Sequence, residues 1–484
     1  MRAVLLLVVL ALQGCAAQYF RDAGAPPAPQ AVSIAEWPHK EIWTGVVFNG
    51  DKIGFTRRTL RPAAGAPGLY EIESEAAIRL RFLGIDKRVN LRALDRVRGD
   101  LTLVSFRYEH EIDGSPLKVS GSSDGARLAM TVEASGSREE TTLPLNGPLY
   151  PSSALSYLPV IRGLAVGRGT RFAVFEGETQ KLAEAEQEVL AWESSKLFEG
   201  PAFKLVTRLL GMETTTWISA DGRPLLEVAL NGVLISGLED EASARRYLVE
   251  ASLNKRDSLV EFSLLRAGPL REPRSASRME IVLDGVPAGF ELPSEGGQTC
   301  RDSRCVVDRA LPLAQGNPAR YLKATLAAPS NLGEIRDLAA KISPGGSEAE
   351  KIDRILSWMD DNIAKEAIDS FTAVDVLRER RAECQGHAYL FAALARAAGI
   401  PTRVVNGLVY SAEHGGFLYH TWNEAWIAER GWRPVDATFG QPHADATHLK
   451  LIEGEQAGDL VPLVGLVGRI KVVSLSASSG ARGR

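Results

Sequence analysis

Cysteine, methionine and histidine are scarce in this sequence, which has four, five and seven of them among 484 residues. Two of the four cysteines, Cys300 and Cys305, are close in sequence, and no second such pair exists to complete a cysteine-only zinc cluster. Neither positive nor negative charge is in large excess, because 56 basic and 60 acidic residues leave a net charge of −4. Since nucleic-acid binding needs a basic surface, we expect no nucleic-acid partner. The 45% of hydrophobic residues, in a chain of this length, predicts roughly two to four globular domains.

The N-terminus carries a short apolar run between a basic residue and a cysteine. Arg2 precedes residues 3–12, which are too few to span a bilayer, and a small residue stands directly before Cys15. This pattern resembles a bacterial lipoprotein signal, which implies removal of residues 1–14, lipidation of Cys15 and a membrane tether through that lipid. Ala16 stands where an aspartate would signal inner-membrane retention, so we expect a cell-envelope protein, lipid-anchored at the outer membrane and facing the periplasm. An ordinary secretory signal with a chance cysteine is the alternative.

Three cysteines remain after Cys15. Cys300 and Cys305 flank a short polar stretch, and in an oxidising compartment such a pair predicts a disulfide that closes a small loop rather than a metal site. Cys384 is then the one unpaired thiol.

The first half of the chain has the pattern of a β-rich protein. Residues 15–35 are rich in Ala, Gly and Pro and predict an extended tether. Residues 36–258 predict a β-rich domain, because short alternating segments are separated by dipeptides that supply the positive φ angles of tight hairpins. These dipeptides are Asn49-Gly50, Asp113-Gly114, Asp124-Gly125, Asn146-Gly147, Asp221-Gly222 and Asn231-Gly232. We expect one large curved antiparallel sheet or a barrel; within it, Lys181–Trp192 fits a helix by its Ala and Glu content and a strand by its neighbours, and both remain open.

The second half of the chain divides into three parts. Residues 259–328 predict a small strand-rich linker domain, residues 329–470 a helix packed on an antiparallel sheet, and residues 471–484 a tail. The fold class is therefore α+β: an N-terminal antiparallel β-rich region followed by a domain that combines helices with an antiparallel sheet.

Local signals place the elements of the domain at 329–470. Two capping boxes predict helix starts: Ser347 with Glu350, and Thr372 with Asp375. Cys384 precedes a helix of small residues that ends at Ala398. Three strands are predicted after it, at 402–410, 419–428 and 431–437.

Three residues of this domain can act together as a catalytic group. A cysteine at a helix N-terminus faces the positive end of the helix dipole, which favours thiolate and predicts a lowered pKa for Cys384. Alternation along neighbouring strands lets Asp436 orient His420 if the two strands pair as a hairpin. His420 could then take the thiol proton and return it to a leaving group, while the carboxylate stabilises the imidazolium.

Four short motifs surround these residues: Glu383-Cys384-Gln385-Gly386-His387-Ala388, Ala397-Ala398-Gly399-Ile400-Pro401-Thr402-Arg403, His420-Thr421-Trp422-Asn423-Glu424 and Trp432-Arg433-Pro434-Val435-Asp436-Ala437-Thr438. They resemble the bacterial transglutaminase-like family, over about residues 335–450. The resemblance implies a papain-like core with Cys384 as nucleophile, His420 as general base and acid, and Asp436 as the orienting residue. Animal transglutaminases carry a tryptophan where this chain has Gln385, so protein cross-linking is not implied.

The superfamily includes proteases, amidases and acyltransferases. The resemblance therefore implies acyl-thioester chemistry on an amide or ester, by hydrolysis or by acyl transfer, with a peptide or protein substrate in the envelope and no cofactor. A non-catalytic alternative remains, in which the β-rich region of an envelope lipoprotein binds a lipid, glycan or protein partner and the triad is degenerate.

A metal site is the other alternative. Four side chains could in principle bind zinc: Cys384, His387, His414 and His420. His414 stands in a predicted loop, however, and a zinc site would leave Asp436 without a role. The acidic residues between 453 and 459 lack the spacing of a calcium loop. We therefore predict no metal.

Overall fold

The computed structural model describes residues 19–247, 250 and 256–479. The predicted signal segment at 1–14 and the lipidation site at Cys15 lie outside these residues.

A sixteen-stranded sheet takes up most of the N-terminal half. Its strands are β1 (Phe20–Asp22), β2 (Glu41–Phe48), β3 (Asp51–Pro62), β4 (Leu69–Phe82), β5 (Ile85–Arg98), β6 (Leu103–Ile112), β7 (Ser115–Ser123), β8 (Arg127–Ala134), β9 (Ser137–Pro144), β10 (Leu149–Pro151), β11 (Gly169–Glu176), β12 (Lys181–Ser195), β13 (Pro201–Leu209), β14 (Met212–Ile218), β15 (Pro224–Ala229) and β16 (Leu234–Glu239). Antiparallel neighbours run from β11 to β16, and then from β2, which pairs with β16, to β9. β10 forms a parallel pair with β11, and β1 forms an antiparallel pair with β12. The prediction of an antiparallel, β-rich N-terminal region is confirmed.

The segment Lys181–Trp192, which the sequence left open, lies in strand β12. Its buried positions alternate, since Ala185, Gln187 and Val189 face the interior while the glutamates between them are less buried. Pairing with β11 and β13 along the strand satisfies its backbone. Burial of one face therefore outweighs the helix propensity of its Ala and Glu residues.

The remaining elements belong mainly to the C-terminal half. The helices are α1 (Leu158–Ile161), α2 (Glu241–Arg245), α3 (Ser258–Ser263), α4 (Gly333–Ile342), α5 (Glu348–Asn362), α6 (Ala373–Glu379), α7 (Cys384–Ala397) and α8 (Ala457–Val464). The strands are β17 (Leu265–Arg266), β18 (Ala276–Asp284), β19 (Gln298–Arg301), β20 (Arg304–Asp308), β21 (Ala364–Lys365), β22 (Arg381–Ala382), β23 (Thr402–Ser411), β24 (Gly416–Ile427), β25 (Gly431–Val435), β26 (Leu449–Glu453) and β27 (Lys471–Ser479). Both predicted capping boxes are present, at the starts of α5 and α6. Among the helices of the described ranges, none has the length and apolarity needed to cross a membrane.

Helix α7 forms the centre of the C-terminal core. All its residues from Gly386 to Arg396 are buried. The helix packs between the sheet that contains β23 and β24 on one side and the helices α4, α5 and α6 on the other. The amide of Asn423 on β24 donates a hydrogen bond to the carbonyl oxygen of Ala388 at 3.1 Å. This arrangement confirms the predicted helix on an antiparallel sheet and fixes the position of Cys384 at the start of α7.

The prediction that residues 471–484 form a tail is wrong for residues 471–479. They form β27, which pairs with β18 and completes a four-stranded sheet with β19 and β20.

The predicted linker domain at 259–328 lacks a core of its own, because its buried Met279 and Ile281 share one apolar cluster with Leu408 and Leu449. The physical reason is that a sheet this small cannot bury enough apolar surface alone.

The N-terminal sheet contacts the C-terminal core directly. The carboxylate of Asp375, in the first turn of α6, accepts hydrogen bonds from the hydroxyls of Ser115 (2.7 Å) and Ser135. Lys87 on β5 is buried between Asp369, at 2.8 Å, and Asp113, at 3.3 Å. Lys87 also lies near enough to Glu383, the residue before α7, to oppose the rise of its pKa, so the sheet packs beside the start of α7.

Candidate active site

The structure brings His420 and Asp436 together. The antiparallel pairing of β24 with β25 carries Asp436, just past the end of β25, to the side of His420. Nε2 of His420 lies 2.8 Å from Oδ2 of Asp436, and both side chains are buried. Oδ1 accepts hydrogen bonds from the backbone N–H groups of Thr438, at 2.7 Å, and Phe439, at 3.1 Å. The carboxylate is therefore held in place from both sides.

These contacts keep Asp436 ionised and determine which ring nitrogen of His420 is free to accept a proton. Although burial opposes ionisation, His420 and a second histidine, His448, hold the pKa of Asp436 well below its usual range. With its Nε2–H donated to this carboxylate, His420 keeps Nδ1 as the ring atom that can accept a proton. The ring is also packed against Phe439, with centroids 5.2 Å apart and planes at 21°.

Cys384 is the first residue of α7 and its side chain is half-buried. The backbone N–H of Thr421, the residue after His420, faces the sulfur. Glu383 is the N-cap of the helix: its carboxylate accepts from the N–H of Gln385 at 3.1 Å, and the Cys384 thiol donates to its other oxygen at 3.6 Å. The nucleophile of the predicted triad thus lies beside the strand that carries its predicted base.

The expected lowering of the thiol pKa is wrong for this resting structure. Burial, and then the carboxyl group of Glu383, raise the pKa of Cys384 well above its ordinary value, although the Thr421 N–H opposes them. Burial and the nearby Asp369 in turn raise the pKa of Glu383 to about 8. The helix dipole acts on a thiol that is partly removed from water and lies 3.6 Å from a carboxyl oxygen of Glu383, so the raised pKa keeps the resting sulfur protonated.

His448 was missed by the sequence analysis. Its Nε2 lies 2.8 Å from Oδ2 of Asp436, the same oxygen that binds His420. It follows a loop from Thr438 to Thr447 that returns the chain to the sheet at β26. The motif spacing could not reveal this contact, because it depends on how that loop folds back.

His420, Asp436 and His448 offer three ligand atoms within 4.8 Å of one another. Their spacing has a simpler origin, since each histidine nitrogen lies 2.8 Å from Oδ2, a hydrogen-bond length. Ligand atoms around a tetrahedral zinc would stand roughly 3.3 Å apart, given bonds near 2 Å. Hydrogen bonding therefore accounts for this cluster.

The other residues singled out by the sequence have defined surroundings. Cys300 and Cys305 are joined by a disulfide. His414 contacts the hydroxyl of Ser411 in a loop. His387 points Nδ1 at the carbonyl oxygen of Glu383, at 2.9 Å. Of the acidic residues between 453 and 459, two form ion pairs with arginines and one caps α8: Glu453 with Arg403, Glu455 with Arg396, and Asp459 at the cap.

The fold and the site define an α+β protein whose C-terminal part groups a half-buried cysteine, a histidine and an aspartate. Residues 336–437 match the family model of the Transglutaminase-like superfamily. This segment, which contains Cys384, His420 and Asp436, is therefore a transglutaminase-like domain.

Several solved structures are similar at low identity. One is a candidate cysteine protease from Cytophaga hutchinsonii, with 18% identity over 42% of this chain and 86% of that chain and a TM-score of 0.27. Another is a β-barrel-like protein of domain of unknown function DUF1849 from Brucella abortus, with 11% identity over 41% and 95% of the two chains and a TM-score of 0.31. A third is the periplasmic domain of TgpA from Pseudomonas aeruginosa, with 15% identity, 57% and 72% coverage and a TM-score of 0.22. Likenesses this weak carry no conclusion about function, and no curated protein matched the sequence.

Proposed function

We propose that this protein is a cysteine enzyme of the cell envelope that forms an acyl-thioester on Cys384 from an amide or ester and passes the acyl group to water or to an amine. The observation that carries the proposal is the arrangement of the triad: His420 is fixed by Asp436 at 2.8 Å, and the backbone N–H of the next residue, Thr421, faces the sulfur of Cys384. The transglutaminase-like fold of residues 336–437 supports it.

The proposed reaction starts from a protonated thiol. As the sulfur attacks the acyl carbon, the thiol proton passes to Nδ1 of His420, and that proton then goes to the departing amine or alkoxide as its bond to the acyl carbon breaks. Water or an amine next attacks the thioester and gives a proton to His420, which returns it to the leaving thiolate. Asp436 stays ionised throughout and stabilises the imidazolium. The backbone N–H of Cys384, at the start of α7, is our candidate donor to the oxyanion.

The envelope location is part of this proposal. It is supported by the sequence pattern that ends at Cys15, which predicts a lipid anchor in the outer membrane facing the periplasm, with peptide or protein substrates there. The disulfide between Cys300 and Cys305 suits an oxidising compartment of this kind.

The test is acylation of the full chain by a panel of peptide amides and activated esters, followed by mass spectrometry of the peptide that contains Cys384. We expect a thioester adduct on Cys384 that is absent from Cys384→Ala and strongly reduced in His420→Ala. His414→Ala, a loop histidine, is the matched control and should behave as the unmodified chain. Adding a primary amine separates the two outcomes of the second step, since amide product indicates transfer and free acid indicates hydrolysis. Activity that survives in Cys384→Ala would refute the proposal.

A cavity in the N-terminal sheet favours a second, binding function for that region. The cavity has a volume of about 410 Å³, within the usual range for small-molecule sites. Several polar side chains line it: Thr44, Thr56, Asp95, Gln187, Thr207 and Thr216. The side-chain oxygen of Gln187 is buried without a hydrogen-bond partner among the described residues, and a buried acceptor of this kind is stabilised by a ligand that donates to it.

This binding function is tested by native mass spectrometry of the full chain after incubation with envelope lipid and glycan extracts. The variant Thr207→Leu fills part of the cavity, and Thr131→Leu, on the same sheet at strand β8, serves as its control. A bound species that Thr207→Leu loses and Thr131→Leu keeps would support the function. No bound species, or equal retention by both variants, would count against it.

A further inference from the structure

The hydrogen bonds of His448 determine its charge. Nε2 lies 2.8 Å from Oδ2 of Asp436, and Nδ1 lies 3.0 Å from the carbonyl oxygen of Asp445. A carbonyl oxygen and an ionised carboxylate can only accept hydrogen bonds. Each ring nitrogen of His448 must therefore carry a hydrogen, which makes the side chain an imidazolium cation.

The surroundings of His448 stabilise this cation. Although burial opposes charging, hydrogen bonds to Asp436 and Asp445 raise the pKa of His448 to about 9. The carboxylate of Asp445 is itself held by Arg274, at 2.8 Å, and by the hydroxyl of Thr447. The cation therefore lies between two fixed carboxylates, of which only Asp436 also contacts the catalytic histidine.

Other ionisable groups also face His448. The ring of His420 lies 5.7 Å from it, between centroids. A small cavity beside His448 is lined by further titratable side chains: Glu295, Asp308, Arg309, Glu424, His443 and Lys450. Lys450 pairs with Glu424 at 3.0 Å and also with Glu295, so these charges largely satisfy one another. Burial, together with nearby arginines, lowers the pKa of His443 to about 4, which leaves it neutral.

We propose that His448 is a positioning residue whose positive charge offsets the negative charge of the ionised Asp436, so that His420 meets the thiol as a neutral base. The proposal rests on the proposed function and concerns the same site. A carboxylate that already binds the His448 cation stabilises an imidazolium on His420 less than a carboxylate that binds His420 alone would. The proton then moves to His420 as the sulfur attacks, and the resting sulfur stays protonated. His448 lies beyond the segment 336–437 that matches the family model.

The test is the pH dependence of Cys384 alkylation in the full chain, read on the peptide that contains Cys384 so that Cys15 does not contribute. His448→Gln keeps a possible hydrogen-bond donor to Asp436 and removes the charge. We expect the alkylation rate near neutral pH to rise on the order of tenfold, equivalent to a shift of roughly one pH unit towards acid. His414→Gln is the matched control and should leave the profile in place. A folded His448→Gln chain with an unshifted profile would overturn the proposal.

A second measurement does not depend on the folding of the variant. Nitrogen NMR of ¹⁵N-histidine-labelled protein should show one histidine protonated on both nitrogens at about pH 7.5, which loses a proton at about pH 9. If His448 is neutral at the lower pH, the proposal is wrong. The proposed enzymatic function is refuted by a different result, namely activity that is unchanged in Cys384→Ala and His420→Ala. If those variants lose activity while the His448→Gln profile is unshifted, only the role of His448 is refuted.

Discussion

At the scale of single residues, Glu383 controls the resting state of the nucleophile. Its carboxyl group lies 3.6 Å from the sulfur of Cys384 and also caps the helix that Cys384 begins. Because burial raises the pKa of Glu383 to about 8, the group is mostly protonated at neutral pH and becomes an anion as the pH rises through that value. An anion at this distance disfavours thiolate, so the effect of Glu383 on the thiol grows above pH 8.

We therefore expect Glu383→Gln to alkylate faster than the unmodified chain at about pH 9, by several-fold, and at nearly the same rate at about pH 7. Glutamine keeps an oxygen that can accept the N–H of Gln385, so the helix cap is preserved. The measurement is the rate of Cys384 alkylation by mass spectrometry across this range. Glu379→Gln, at an exposed position at the end of α6, is the control. Profiles that coincide at the higher pH would show that Glu383 does not restrain the thiol.

At the scale of elements, the start of α7 depends on close packing against its neighbours. A Cβ atom added at Gly386 would stand 2.6 Å from Cβ of Ala382 and 2.9 Å from Cγ2 of Val376. Contacts this short require α6 and α7 to move apart. The glycine therefore holds the first turn of α7, and Cys384 with it, close to α6.

Gly386→Ala should lower the free energy of unfolding by about 1 to 3 kcal/mol, because overpacking costs more than the gain in helix propensity of about 1 kcal/mol. The measurement is urea unfolding followed by circular dichroism. Gly333→Ala is the matched control, because Gly333 begins α4 and an added Cβ there has no neighbour within 4 Å. Equal stability of Gly386→Ala and the unmodified chain would show that the helices adjust without cost.

At the scale of the whole molecule, buried charges join the N-terminal sheet to the transglutaminase-like domain. The side chain of Lys87 is 5% exposed and lies between Asp369 from the domain and Asp113 from the sheet. Burial opposes its charge, but Asp369 and other acids, including Glu383, raise the pKa of Lys87 above its ordinary value. Lys87 therefore compensates several acids that would otherwise be left unpaired beside the start of α7.

Lys87→Met should lower the free energy of unfolding by about 2 to 3 kcal/mol, because it leaves the carboxylate of Asp113, which is 8% exposed, and the partly exposed carboxylate of Asp369 without their cation. Lys118→Met, at an exposed position on β7 in the same sheet, should change it by less than about 0.5 kcal/mol. Thermal and urea unfolding at neutral pH give both values. A loss no larger for Lys87→Met than for Lys118→Met would mean that the ion pairs do not hold the two parts together.

The sequence by itself determined the features that depend on neighbouring residues. Capping boxes such as Ser347 with Glu350 fixed helix starts, and dipeptides such as Asn49-Gly50, with φ angles of 49° and 87°, fixed hairpins. The motifs around Cys384 and His420 indicated the transglutaminase-like domain, since spacing along a strand or a helix places side chains on a known face.

Tertiary structure alone decided the features that depend on distant parts of the chain. Lys181–Trp192 became a strand because β11 and β13 flank it, and residues 471–479 became a strand because β18 offered an unpaired edge. The charge of His448 and the raised pKa of Cys384 depend on burial and on partners brought in by folding. Desolvation and hydrogen bonding act through space, so their effects on these groups follow from the folded arrangement and not from the order of residues.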